Sequence, residues 1–244
     1  MTHRDRLAAP GQWLVLGALV GLASGGASAP FLWLLERATQ LRTRHEGLVY
    51  ALPFGGLFVG LAYERFGDPI KGGNNLVIDT IHDDGPEIPL RMAPLILGAT
   101  VISHLFGASV GREGTAVQMA GSLSDLVSKR LHLTPSDRRI LLRASIAGGF
   151  AAVFGTPLAG TLFALEVVAS KGSRWAALFP ALGAALLADQ VVRLLPVHHT
   201  HYDTGALDGG PGAWIACLTF GLVAGLAEAL EDLRQRRSLR FWAG

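Results

Sequence analysis

The sequence predicts an all-α, polytopic membrane protein made of broken and tilted helices. Three observations predict it. Of 244 residues, 50% are hydrophobic and 16% charged, against roughly 25% charged in a soluble domain, and the mean hydropathy is +0.38. The charges are also segregated: Leu7–Leu35, Gly47–Tyr63, Met92–Gly111, Ala144–Leu165 and Gly209–Ala227 contain no Asp, Glu, Lys or Arg, and a perpendicular helix needs about 20 apolar residues to cross the hydrocarbon core. Finally, 31 glycines and 12 prolines lie largely inside those stretches, as they do in membrane bundles with close or discontinuous helices. Several classes are excluded. A net charge of +2 leaves no nucleic-acid footprint, and one cysteine, Cys217, gives no intrachain disulfide framework and no cysteine-based zinc site. No cofactor and no enzymatic activity are expected.

The first window, Leu7–Leu35, follows Arg4 and Arg6, and its Ala27-Ser28-Ala29 resembles a cleavage site for a secretory signal. Pro30 follows at once and the apolar run continues to Leu35, which predicts a retained first helix. Pro30, Pro53, Pro94 and Pro157 interrupt the windows. They are compatible with a bundle of kinked helices or with helices that stop part-way around a buried site. Gly17–Ala23, Gly56–Ala62 and Gly221–Ala227 share a Gly-x-x-x-Gly spacing, a flat stripe that lets backbones approach closely. Basic residues cluster at His3, Arg4 and Arg6, from Lys129 to Arg143, and from Arg234 to Arg240; the positive-inside tendency places all three in the cytoplasm.

Three stretches carry chemistry. In Gly111-Arg112-Glu113-Gly114-Thr115-Ala116-Val117-Gln118, glycines flank a charged pair at the entry to a helix predicted over Thr115–Leu131. The first N–H groups of a helix lack intrahelical partners and carry the positive end of its dipole, which makes them an anion site. Glu113 is then a carboxylate standing where a small anion would bind, or a loop carboxylate paired with Arg112 at the membrane surface. Lys71-Gly72-Gly73-Asn74-Asn75 also reads as a turn into a helix. One Asn can cap that helix, and the other is free to donate its amide N–H groups to an anion. It is not a P-loop, because the spacing and the terminal Lys-Ser/Thr are missing. From Ala144 to Glu166, small residues precede Gly155-Thr156-Pro157, so a helix ends and a second begins with proline at a permitted early position.

These three segments, in this order and separation, resemble the CLC family of chloride channels and proton-coupled anion antiporters. Gly111–Gln118 is similar to the family's Gly-Arg-Glu-Gly-Pro motif, whose Glu is gate and proton carrier, and the resemblance gives that role to Glu113. Ala147–Glu166 is similar to the long Gly-Phe-Ala-Ala-x-Phe-x-x-Pro-Leu-Ala-Gly signature. Gly73-Asn74-Asn75 falls where most members have Gly-Ser-Gly-Ile-Pro, with Asn74 at the anion-coordinating Ser. The resemblance thus implies an anion site from Asn74, Asn75, Gly111, Arg112, Gly114 and Thr115, gated by Glu113, with no metal. Asn74 for Ser, Thr115 for Pro, and Glu166-Val167 in place of the usual acidic pair all resemble the fluoride-selective branch, which exports fluoride in exchange for protons. Donor chemistry agrees: a small, strongly hydrated anion needs strong donors, and amide, hydroxyl and helix-end N–H groups supply them.

Family members are roughly twice as long, with two inverted repeats around the anion site. Residues 1–244 resemble the N-terminal half of such a membrane domain, without the Gly-x-Phe-x-Pro motif of the second half. The expectation is a truncated chain, or a half-subunit inactive until a second repeat completes it. Implied partners are fluoride or chloride, protons, a lipid bilayer (a bacterial inner membrane) and, at full length, a second copy in a homodimer. Chloride channel or chloride/proton exchange activity is the alternative to fluoride export. His198-His199-Thr200-His201-Tyr202-Asp203 has zinc-like spacing, but it reads better as a polar loop. His104 reads as hydrogen-bonded to a neighbouring helix, and Glu36, Glu64 and Glu228 as interfacial.

Overall fold

The computed structural model describes residues 10–83, 86–167, 174–195, 197, 210–216, 218–223, 226–227 and 230. They fall in two units, 1–200 and 201–244. Helices α1 (Pro10–Arg44), α2 (Leu52–Phe66), α3 (Asn74–Asp83), α4 (Met92–Leu105), α5 (Glu113–Arg130), α6 (Pro135–Phe154), α7 (Pro157–Glu166) and α8 (Leu178–Leu194) make up the first unit, with short 3-10 turns between some of them. In the second unit residues 211–216 and 218–223 are helical. The described residues contain no strand. The His198–Asp203 run lies outside them.

The prolines act mostly as helix starts. Pro53, Pro135 and Pro157 occupy the first turns of α2, α6 and α7, where a missing N–H costs nothing. Pro30 is the exception. It does not interrupt its window: α1 continues through it for 35 residues, about 52 Å at 1.5 Å per residue. Pro30 is exposed, and the residue four before it, whose carbonyl its ring would crowd, is Gly26, with open space around its Cα.

Among the described residues, three helical stretches are long and apolar enough to cross a membrane: Gly11–Arg44, Glu46–Phe66 and Trp175–Leu194. The last belongs to none of the charge-free windows, because Asp189 and Arg193 lie inside it. They pair at 2.8 Å, one turn apart, which lowers the cost of both in an apolar helix. The window Ala144–Leu165 is not a span. It is divided at Gly155, whose left-handed φ of 68° ends α6 by returning its N–H to Ala151, and α7 restarts at Pro157. At ten residues each, α3 and α7 are only about 15 Å long, too short to cross.

Helix α6 is the hub. Residues 141–149 and 151–153 are all buried, most of them small, so neighbours approach its backbone. A Cβ on Gly149 would lie 2.8 Å from the Ala116 carbonyl of α5, one on Gly148 3.1 Å from Ser24 Oγ of α1, and one on Gly160 of α7 2.9 Å from the Ala147 carbonyl. Helix α8 closes on α1 along Gly17, Gly21 and Gly25, where added Cβ atoms would meet the carbonyls of Pro180, Ala184 and Ala188 at 2.5, 2.7 and 2.8 Å. The first glycine stripe is therefore a helix contact. The second is not: Gly56 and Gly60 face open space.

Candidate functional site

Two short-range features converge at one end of α5. The helix starts on Glu113, with Arg112 as its N-cap residue. Its predicted start at Thr115 falls two residues late, because the two glycines read as a loop. Glu113 folds back toward the residue that precedes the N-cap: Oε2 lies 2.7 Å from where a Cβ on Gly111 would stand, so glycine there makes room for the carboxylate. Opposite, Gly73 adopts a left-handed φ of 56° and releases the chain into α3. Asn74, the first residue of α3, aims its amide at α5, with Nδ2 2.7 Å from where a Cβ on Gly114 would be. Further along, Val77 packs on Gly121 and the Ile88 N–H reaches Asp125. Helices α3 and α5 therefore run side by side in the same direction, and both positive ends meet at Asn74 and Glu113.

Between them lies a cavity of about 110 Å³. Its polar wall is Asn74, Glu113 and Gly114; the rest is Ile78, Val117, Ile146, Phe150, Phe163 and Val167. Phe150 stacks on Phe163 with centroids 4.8 Å apart and meets Phe154 at 4.5 Å. The Arg112 guanidinium lies 5.6 Å from the Phe154 centroid, within cation–π range. The arrangement places an amide group and the N-terminal end of a helix at one cavity. It also holds the Glu113 carboxylate, with Phe150 and Phe163 as an aromatic wall. Val167, at the position of the missing second acid, lines this cavity, so that end of it is apolar.

The sequence-predicted residues divide. Asn74, Glu113 and Gly114 share the cavity, Gly111 accommodates the carboxylate, and Arg112 sits on the aromatic stack. Thr115 turns elsewhere: it is buried, and its hydroxyl is 2.7 Å from the Thr100 hydroxyl of α4. Asn75 is exposed outside the cavity lining, its N–H donating to the Gly72 carbonyl. His104 bonds the Thr100 carbonyl of its own helix at 2.9 Å, not a neighbouring one. Sequence reasoning missed Ile78, Val117, Ile146 and Phe163 as cavity wall, since apolar residues in an apolar chain give no local signal.

Residues 55–230 match the family model described as voltage gated chloride channel. A chloride/fluoride channel protein of Pseudomonas syringae pv. tomato is 55% identical over 194 residues, 80% of this chain and 43% of that protein. An H(+)/Cl(-) exchange transporter of Cronobacter sakazakii is 30% identical over 172 residues, covering 63% of this chain and 36% of its own length. Among solved structures, a CLC-type fluoride/proton antiporter superposes with a TM-score of 0.80 at 29% identity, over 93% of this chain and 56% of that one. The chain spans about half the length of the proteins it matches.

Proposed function

The chain belongs to the voltage-gated chloride channel family, and from that premise we propose that it carries the first-repeat half of an anion pathway that exports fluoride in exchange for protons, with Glu113 as gate and proton carrier. One observation carries the reading: the Glu113 carboxylate and the Asn74 amide face one small cavity at the joined N-termini of α3 and α5. Such an end favours negative charge, and a carboxylate there excludes a free anion until it is protonated or moves.

The coupling follows from that competition. Protonating Glu113 removes the charge that occupies the helix ends. A fluoride ion then takes the vacated N–H groups and the Asn74 amide. Leaving, it lets the carboxylate return and release its proton. The donors suit fluoride, because an ion that surrenders strong hydration needs charge-assisted hydrogen bonds in exchange. The chain's similarity to a chloride/fluoride channel protein and a fluoride/proton antiporter supports the reading. The similarity to an H(+)/Cl(-) exchanger keeps chloride as the competing substrate. Because the chain spans about half of its relatives, the activity is assigned to the assembly that contains both repeats, in the membrane and as a homodimer.

The test is efflux from liposomes containing the assembly with both repeats, with fluoride and proton movement followed in parallel and chloride in a second set. Fluoride leaving as protons enter supports the proposal. Chloride moving at a rate equal to or above fluoride's overturns the fluoride reading, and fluoride flux without proton movement overturns the exchange.

A further inference from the structure

Helix α3 brings Asn74 to the cavity, yet it is ten residues long and enters through Gly72-Gly73, a connection with little stiffness of its own. Its position is held further down, where Val77 and Ile81 are fully buried in the core. Val77 fills the notch at Gly121, with Cγ atoms 3.1 and 3.3 Å from the missing Cβ. That steric contact acts near the middle of α3 and leaves its far end to other contacts. Polar contacts resist sliding, and they are concentrated at one residue.

Asp125, three turns along α5 from Glu113, is fully buried. One of its oxygens accepts the Ile88 N–H at 2.8 Å, and the other accepts Arg138 Nε of α6 at 2.5 Å. Lys129 lies 3.4 Å away and also pairs with Glu87 at 2.8 Å. Arg138 further donates to the Pro86 carbonyl at 3.2 Å, and the Thr80 hydroxyl of α3, which donates to the Leu76 carbonyl of its own helix at 2.7 Å, also lies 3.2 Å from the Pro86 carbonyl. The segment that follows α3 is thus tied by main-chain and side-chain bonds to α5 and α6.

We propose that Asp125 is a positioning residue: by holding residues 86–88 against α5 and α6 it sets the register of α3 on α5, and so the distance between Asn74 and Glu113. The register claim needs no assumption about substrate; its consequence for fluoride rests on the reading given under Proposed function. Asp125→Asn keeps the shape but turns an N–H₂ toward one of two donors, so one of the bonds is lost. Freed at its far end, α3 slides or tilts from Gly73, and the Asn74 amide leaves Gly114.

The register is read by disulfide trapping in membranes, with Cys217 replaced by Ser. Cysteines at 74 and 114 should cross-link readily, because Asn74 Cγ, where a cysteine sulfur would stand, is 3.5 Å from the Cβ position of residue 114. A pair at 24 and 148, joining α1 to α6 with the Ser24 Cβ 3.2 Å from the Cβ position of 148, reports on the rest of the bundle. With Asp125→Asn, and separately with the milder Arg138→Gln, the 74–114 cross-link should slow by about ten-fold, given the narrow geometry a disulfide tolerates, while 24–148 forms as before. An unchanged 74–114 rate in both variants overturns the proposal. So does equal loss of both cross-links in both variants, which would make the network a general fold contact.

In liposomes, Asp125→Asn should raise the fluoride KM by about five-fold or more with the maximal rate little changed, as a displacement near 1 Å weakens a site without removing its groups. A KM that does not move overturns the positioning role. If the unsubstituted assembly containing both repeats carries no fluoride, the proposed function fails, and the cross-links still decide the register.

Discussion

Substituting Gly21 with alanine separates a helix contact from a glycine pattern. In the α1–α8 seam an added Cβ would lie 2.7 Å from the Ala184 carbonyl oxygen and 3.0 Å from the Ala184 Cα. Both are backbone atoms and have no rotamer to yield. Ordinary contact begins at 3.4 Å, so the helices must separate by 3.4 − 2.7 = 0.7 Å, and Gly17 and Gly25 lose contact with them. Overpacking of this kind costs about 1–3 kcal/mol, and 1 kcal/mol moves Tm by roughly 2–4 °C in a chain of this size. Gly21→Ala should therefore lower the midpoint by roughly 2–12 °C. Gly60→Ala is the control. It has the same spacing in sequence but open space in structure, and replacing a helical glycine by alanine stabilises by roughly 0.5–1 kcal/mol. The assay is the fraction of protein remaining monodisperse in mild detergent after graded heating. Equal effects from the two substitutions would refute the reasoning, since sequence pattern rather than contact would then set the cost.

Four further outcomes follow from the site. Glu113→Gln fixes the neutral form, so proton uptake coupled to anion efflux should vanish; uphill proton movement in this variant would remove Glu113 as carrier. Asn74→Ala should weaken fluoride binding about ten-fold or more, since a hydrogen bond to a charged group contributes roughly 1.5–3 kcal/mol, while a pH-dependent gate persists in flux measurements. Thr115→Val should cost about 1 kcal/mol of stability by stranding Thr100 and leave fluoride KM nearly unchanged; a large rise in KM would return the hydroxyl to the anion. Gly149→Ala, whose Cβ would meet the Ala116 carbonyl at 2.8 Å, should depress transport through a displacement of α5, and flux equal to the parent's would show that α5 tolerates the shift.

The parts legible in sequence are those decided by local chemistry. Gly155-Thr156-Pro157 ends one helix and starts the next because only glycine adopts the left-handed turn cheaply and only the first turn welcomes proline. Gly111 and Gly114 around Glu113 signal a helix entry for a related reason. What stayed hidden depends on partners distant in the chain. Asp189 and Arg193 disguise α8 as a polar stretch until their pairing is seen. That the Thr115 hydroxyl meets the hydroxyl of Thr100, fifteen residues earlier, is seen only in the fold. Asp125 gives no signal in sequence, because its partners Ile88 and Arg138 come from other segments. The Gly-x-x-x-Gly stripes state that a close neighbour is permitted; which helix fills the space, as at Gly21, or whether any does, as at Gly60, is not written locally.

The backbone contacts of α6 explain how short helices can hold a site with little tolerance for movement. Catalytic and binding groups need placement within about 0.5 Å, and a ten-residue helix has few side chains with which to secure itself. Contacts through long side chains would transmit rotamer motion to the site. Glycine replaces them with main-chain surfaces: Gly149 places α5 by its Ala116 carbonyl, and Gly160 seats α7 on the Ala147 carbonyl. The first sets the depth of Glu113, three residues from Ala116; the second sets Phe163, three residues from Gly160 and stacked on Phe150 of α6 itself. The carboxylate and its aromatic wall are thus both referenced to one buried helix. The small residues of Ala144–Gly160, which give no chemistry of their own, determine how closely the chemical groups can be held.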